Sequence, residues 1–231
     1  MGKTYAISDI HGCYDKYINL LDKIGFSDDD TLYVLGDVID REDGGIKTLC
    51  DMMTRKNVIP LIGNHEVSFC KYSHEQYLKR LKNRFYMRRF DEWLSDGGKP
   101  TYDAYKALSD EERAKVTDYV NSFANYVLTS VGGRRFLLAH TVRERGLMPD
   151  DLNALGEMAA MDFILGEPEY EKVYYPDLTI VTGHTPTQWI DRASRGKIWC
   201  GNNHIAIDCG ASFGNPLGCL CLDTLEEFYA E

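Results

Sequence analysis

Cysteine pairs, long apolar runs and a surplus of positive charge are all missing from this chain of 231 residues. Its seven cysteines, at positions 13, 50, 70, 200, 209, 219 and 221, are odd in number and contain no C-x-x-C, which argues against a disulfide framework and against a zinc knuckle. A reducing, cytoplasmic setting is the expectation. No stretch approaches the ~20 apolar residues of a membrane span. The opening MGKTYAISDI enters a strand pattern at once, without the basic, apolar and cleavable regions of a leader. Gly2 could begin a myristoylation signal, but Ala6 stands where Ser or Thr is needed. With 26 Lys plus Arg against 36 Asp plus Glu the net charge is -10, so duplex nucleic acid and anionic membranes are poor partners. A small anion can bind only where a local site reverses that sign. Linkers, internal repeats and low-complexity runs are also missing, and a single domain over 1–231 is expected.

What is there is alternation. Short apolar runs, TYAIS, TLYVL and VIPLI, are separated by helical patterns from about Tyr14 to Ile24 and near Ile46 to Arg55. Such alternation predicts an α/β sheet with parallel crossovers. From 67 to 125 the character turns charged, aromatic and helical, as in HEQYLKRLKNRFYMRRFDEWL, with a Ser109–Glu112 capping box inside it. This segment is expected to be a helical insertion. YVLTSVGGRRFLLAH then reads as a hairpin turning at Gly132-Gly133, residues 142–176 as loop and one helix, DLTIVTGH as a strand, and the end of the chain as two or three antiparallel strands.

The strands share one property. They stop on Asp9 and His11, on Asp37, on Asn64 and His65, on His140 and on His184. Each residue alone has an ordinary explanation: Asp9 as a helix cap, Asn64 as a turn residue, His140 as a hydrogen-bonded core histidine. Together they point elsewhere, because ligand sites in open α/β sheets form at the carboxyl ends of strands. So many ionisable groups gathered in one place need a counter-charge, which divalent cations supply. Carboxylate, amide oxygen and imidazole suit Mn, Fe or Zn, and Asp9, His11, Asp37, Asn64, His140 and His184 are too many for one ion that keeps an open position. Asp37 is the central candidate to bridge a pair. Two divalent ions, two carboxylates and a hydroxide leave the pocket at about +1, which suits a phosphate ester.

The motifs SDIHGCYD, GDVIDR, GNHE, the strand ending in His140 and TGHTPT, in that order, resemble those of the calcineurin-like metallophosphoesterases, and most nearly the bacterial serine/threonine phosphatase group and the related symmetrical diadenosine tetraphosphate hydrolases. That resemblance implies a β-sandwich flanked by helices. It implies a first metal held by Asp9, His11 and Asp37, a second held by Asp37, Asn64, His140 and His184, His65 as general acid oriented by Asp40, and Arg41 as phosphate clamp. It further implies a dinuclear phosphatase, with manganese as the expected metal, in which a metal-activated hydroxide attacks a phosphorylated protein or small phosphate ester. A dinucleoside polyphosphate is the alternative substrate, for which the aromatics Tyr72, Tyr77, Phe85, Tyr86, Phe90 and Trp93 could stack a base, although ordinary helix packing is the first expectation for them. A phosphate-binding protein with weak turnover is the alternative of another class. The sequence departs from the group in having Glu42 after Arg41 and no arginine between Arg145 and Arg192, where a second phosphate-binding arginine is usual. Arg143 or Arg145 takes that place, or the metals and Arg41 hold the phosphate alone.

Overall fold

Strands buried on both faces build two sheets that share a core. The computed structural model describes residues 2–231. Strands β1 (Thr4–Ile7), β2 (Thr31–Val34) and β3 (Val58–Pro60) are parallel, and the crossovers between them carry helices α1 (Tyr14–Ile24) and α2 (Gly45–Thr54). Tyr17, Leu20 and Leu21 lie on one face of α1 and are buried, the spacing of an amphipathic helix. Gly25 ends that helix in the left-handed conformation at φ 62°, where a side chain would be strained.

The hairpin forms as β4 (Tyr126–Val131) and β5 (Arg134–Ala139), with Gly132 and Gly133 both at positive φ, the requirement of a tight two-residue turn. Then come β6 (Thr179–Thr182), β7 (Trp199–Gly201), β8 (His204–Ala206), β9 (Leu217–Cys221) and β10 (Glu227–Ala230). The sheet orders are β10-β9-β1-β2-β3 and β4-β5-β6-β8-β7. The end of the chain therefore divides between the sheets. β8 runs parallel to β6, with only short β7 antiparallel to it, while β9 lies antiparallel to β1. The expectation of a purely antiparallel end is corrected in that respect, because pairing depends on partners remote in sequence.

Alternate residues face alternate layers. Ala6, Tyr33, Leu35, Phe136, Leu138, Val181 and Leu220 pack between the sheets. Tyr5, Ile7, Leu32 and Val34 point the other way into a core shared with α1, α2 and the insertion. Leu137, Ala139 and Ile180 face a third cluster, closed by Val142, Met148, Leu155, Phe163 and Tyr175. The segment 142–176 that closes it contains the 3-10 turns Leu152–Glu157 and Ala160–Phe163 and no α-helix, which corrects the expectation of one helix there. Its apolar residues are too irregularly spaced for a helical stripe.

Helix α3 (Asn64–Ser73) starts just after β3 and leads into the segment expected as a helical insertion, which holds α4 (Glu75–Leu78), α5 (Arg84–Trp93), a π-type turn over Leu94–Gly98, α6 (Lys99–Ala107) and α7 (Asp110–Asn121). Ser109 and Glu112 form the expected capping box of α7. Its aromatics pack on one another, as in Tyr72 against Trp93 at 5.7 Å and Phe90 against Tyr102 at 5.0 Å between ring centres. No helix among the described residues is long and apolar enough to cross a membrane.

Candidate metal centre

The loops that follow β1, β2, β3, β5 and β6 carry the candidate residues to one place. Six of them, Asp9, His11, Asp37, Asp40, Arg41 and His184, have positive φ between 47° and 71°. Left-handed backbone is costly for residues with a side chain and persists where the surroundings over-determine it, most often at functional sites. Close packing supplies that constraint. A Cβ on Gly63 would lie 2.2 Å from Asp37 Oδ1, and one on Gly183 would lie 2.1 Å from Asp9 Oδ2. Only glycine lets these strand ends approach so nearly.

Asp37 is the centre of the arrangement. Its Oδ1 accepts the His65 amide at 3.0 Å. Its Oδ2 faces three imidazole nitrogens, His140 Nε2 at 3.4 Å, His11 Nε2 at 3.6 Å and His65 Nε2 at 3.9 Å. Burial by itself would raise the Asp37 carboxyl, but His140, His65 and His11 outweigh it and hold the group well below the usual carboxylate range.

The tautomers sharpen this picture. His11 Nδ1 lies 3.0 Å from Ile39 O, and His140 Nδ1 lies 2.8 Å from Leu35 O. A carbonyl only accepts, so both δ nitrogens must donate, and in a neutral ring the ε nitrogen is left with a lone pair. The His11 lone pair faces the carboxylates of Asp37 and, at 3.9 Å, Asp9. The His140 lone pair faces Asp37 Oδ2, Asn64 Oδ1 at 3.0 Å and His184 Nδ1 at 3.1 Å. Protonating His11 or His184 is no remedy, since burial pushes His11 down to about 3 and His184 down to about 4. Electron pairs converging in a buried site call for a cation. The donors fall into two groups, His11–Asp37–His65 and Asp37–His140–His184, each with its ligand atoms within 4.8 Å of one another. Because Asp37 belongs to both, the residues present fit a pair of ions with a shared carboxylate.

His65 meets the distance condition for the first group but not the chemical one. Its Nδ1 donates to Asp40 Oδ2 at 2.8 Å. Burial opposes its charge, yet Asp37 and the hydrogen-bonded Asp40 push its pKa up to about 9. An imidazolium has no lone pair for a metal, but it has a proton to give. Asp9 is held differently. Ser8 Oγ and the His184 amide both donate to its Oδ2, which leaves Oδ1 toward His11. Burial, then Asp208 and Asp37, raise its pKa well above the usual value, the strain that a bound cation would relieve.

A cleft of about 450 Å³ opens over these groups, lined by Asp37, Arg41, Asn64, His65, His184 and Trp189 among others. Arg41 Nη1 donates to Ser212 Oγ at 3.2 Å, and the guanidinium lies 4.8 Å above the Phe213 ring. Arg143 stands apart, paired through Nε with Asp162 and absent from the residues lining this cleft.

Several participants carry no role in the sequence reading. Glu66, the fourth letter of GNHE, accepts the amides of Asp37 at 2.8 Å, Val38 at 2.9 Å and Gly63 at 2.9 Å. Burial and Asp37 raise its pKa to about 7. Asp208, raised to about 7 chiefly by burial, lies near enough to be the largest charge effect on Asp9. Trp189, 68% exposed, lines the cleft, and Phe213, 47% exposed, stands 6.2 Å from it beneath the Arg41 guanidinium. The signal for Glu66 was its place in the first turn of a helix directly after the Asn64-His65 pair. The two exposed aromatics have no pattern in the sequence that would single them out.

The family model for calcineurin-like phosphoesterases matches residues 2–214. A symmetrical bis(5'-nucleosyl)-tetraphosphatase from Salmonella paratyphi B is 41% identical over 66 residues, covering 28% of this chain and 23% of that protein. The matched stretch thus spans about a quarter of the curated relative's length. Among solved structures, a protein described provisionally as a diadenosine tetraphosphatase superposes with a TM-score of 0.63 at 17% identity, over 99% of this chain and 93% of that one. A protein serine/threonine phosphatase from Saccharomyces cerevisiae superposes with a TM-score of 0.61 at 16% identity, over 94% and 71% of the two chains. At these identities the superpositions show the fold, two sheets flanked by helices.

Proposed function

The chain belongs to the calcineurin-like phosphoesterases, and we propose that within that family it is a dinuclear metal-dependent phosphatase acting on phosphate monoesters. The observation that carries the reading is the shared Asp37 carboxylate between two donor groups, with a protonated His65 and Arg41 opening into the same cleft. Asp9, His11 and Asp37 would hold one ion, and Asp37, Asn64, His140 and His184 the other. Manganese suits this oxygen and nitrogen donor set, with iron or zinc as substitutes. When bound, such ions make water nucleophilic near neutral pH and neutralise charge on the phosphoryl group.

The chain's own residues do the rest. Arg41 grips two phosphate oxygens, since its planar fork matches their spacing. His65, fixed through Nδ1 by Asp40, turns Nε2 to the leaving oxygen and gives it a proton. Arg143 would have to leave Asp162 to join Arg41 on the substrate. A binding-only role would leave the buried His65–Asp40 pair without use. The seven cysteines are unpaired, in keeping with a cytoplasmic setting.

Serine- and threonine-phosphorylated peptides or small phosphate esters are the substrates of this reading. A second reading, dinucleoside polyphosphates, is favoured by Trp189, which lines the cleft, and by Phe213 beside it, where stacking is worth about 1–3 kcal/mol per base. The insertion aromatics are not among the residues lining the cleft, and most pack on each other. The two are separated by assaying manganese-loaded protein on phosphopeptides, nucleotides and dinucleoside polyphosphates, with Trp189→Ala alongside. The monoester reading expects turnover of phosphopeptides or simple esters with Trp189→Ala near wild type. Turnover confined to dinucleoside polyphosphates, with KM raised roughly tenfold or more in Trp189→Ala, would replace it by the second. Binding of phosphate esters without hydrolysis of any would sink both.

A further inference from the structure

Residues 93–101 belong to the helical insertion, yet they bond to the loop that carries Asp40 and Arg41. Trp93 Nε1 donates to Asp40 Oδ2 at 2.9 Å, the same oxygen that His65 Nδ1 meets at 2.8 Å. The Asp40 amide donates to Thr101 Oγ1 at 2.8 Å, and the Arg41 amide donates to Gly97 O at 2.8 Å. Asp40 and Arg41 hold φ values of 70° and 71°, a conformation that needs such outside support.

The Asp40 carboxylate is wholly buried, and its Oδ1 has no hydrogen-bond partner. Its orientation therefore depends on the two donors at Oδ2. With only the histidine left, either oxygen could face the ring, and the imidazole would follow the turning carboxylate. The indole itself is clamped. Trp93 is buried, lies nearly parallel to Tyr72, and sits so close to Gly98 that a Cβ there would be 2.4 Å from Nε1.

We infer that Trp93 is a positioning residue for the proton donor: its N–H fixes the Asp40 carboxylate, and through it the direction in which His65 presents Nε2. The inference rests on the reading of His65 as general acid. It makes the insertion part of the catalytic apparatus, reaching the proton donor through the side-chain hydrogen bond from Trp93 to Asp40.

The test compares Trp93→Phe with wild type, and with a protein carrying 3-benzothienylalanine at 93, which replaces the N–H by sulfur and keeps the ring. On phosphoserine peptide or an alkyl phosphate, whose leaving oxygen needs a proton, kcat should fall about tenfold, the usual scale for losing a supporting hydrogen bond, with KM unchanged. On p-nitrophenyl phosphate, whose leaving group departs unaided, the loss should be much smaller. In nitrogen-15 spectra of the metal-free protein, one of three indole N–H signals should resist solvent exchange and shift in Asp40→Asn. Equal losses on both substrates, no loss on either, or an indole signal indifferent to Asp40→Asn would overturn the inference. His65→Asn run in parallel separates the failures. If it too lacks leaving-group dependence, the reading of His65 falls and the inference with it; if His65→Asn shows the dependence and the Trp93 variants do not, only the positioning role falls.

Discussion

His204 shows how one residue can be legible in kind and illegible in place. No motif contains it, which leaves it as an ordinary surface or packing residue, and the fold packs it: buried, 4.9 Å from the Tyr170 ring, with Nε2 2.8 Å from Thr182 Oγ1 and no partner at Nδ1. Burial lowers its pKa to about 3. The folded protein then refuses a proton that the unfolded chain accepts below about 6.5. Its contribution to stability is intact above that value and is lost as pH falls from about 6.5 toward 3, at up to about 1.4 kcal/mol per pH unit. Urea unfolding at pH 4, 5 and 6 should therefore show a steeper decline for wild type than for His204→Leu. Parallel declines would mean that the ring finds a proton acceptor or water on opening. The metal candidates were easier to read, because their signal was collective: six donors at the ends of five apolar strands. Arg143 had no such company, and it pairs with Asp162 away from the cleft.

At the scale of elements, helix α3 joins the sheet to the site through Glu66 in its first turn. The carboxylate accepts three backbone N–H groups within 3.0 Å, two of them in the loop that carries Asp37. Glu66→Ala would leave buried donors unpaired, each at a cost of about 1–3 kcal/mol. We expect the unfolding midpoint to fall by several degrees and manganese affinity to weaken, read by thermal denaturation and by metal titration. A destabilised variant with unchanged metal affinity would make Glu66 a structural brace only. The central strands and crossover helices were legible because short continuous apolar runs and period-3.6 stripes are written locally. β7, β10 and the 142–176 segment were not. The first two are short edges whose existence depends on β8 and β9, and the last is shaped by the sheet face it covers.

At the scale of the molecule, donors from residue 9 to residue 184 meet around Asp37, so ion binding and folding must be linked. Manganese at a hundredfold above its dissociation constant should stabilise the fold by about 2.7 kcal/mol per site. The midpoint temperature should thus rise with added manganese and fall on chelation, while Asp37→Asn, with less charge to hold the pair, stays nearly flat and loses activity. An Asp37→Asn protein that binds two ions and responds like wild type would remove Asp37 from the bridge. The convergence of the strand ends was foreseeable from the α/β pattern. Which residues brace it was not, since Trp93 and Glu66 act through contacts 53 and 29 residues distant along the chain.

The order of strands in the first sheet also bears on how the protein is made. β1 lies between β2 and β9, so one of its two neighbours, Leu217–Cys221, leaves the ribosome long after it does. At ~5–20 residues per second, translation needs roughly ten to forty seconds to bring the second neighbour out. For that interval the nascent chain presents β1 with one open side, an edge ready to pair with any extended segment nearby. A ribosome stalled just short of residue 217 would hold a chain that already contains every proposed metal ligand on an unfinished sheet. Chaperone occupancy during synthesis should accordingly persist until β9 emerges and then drop.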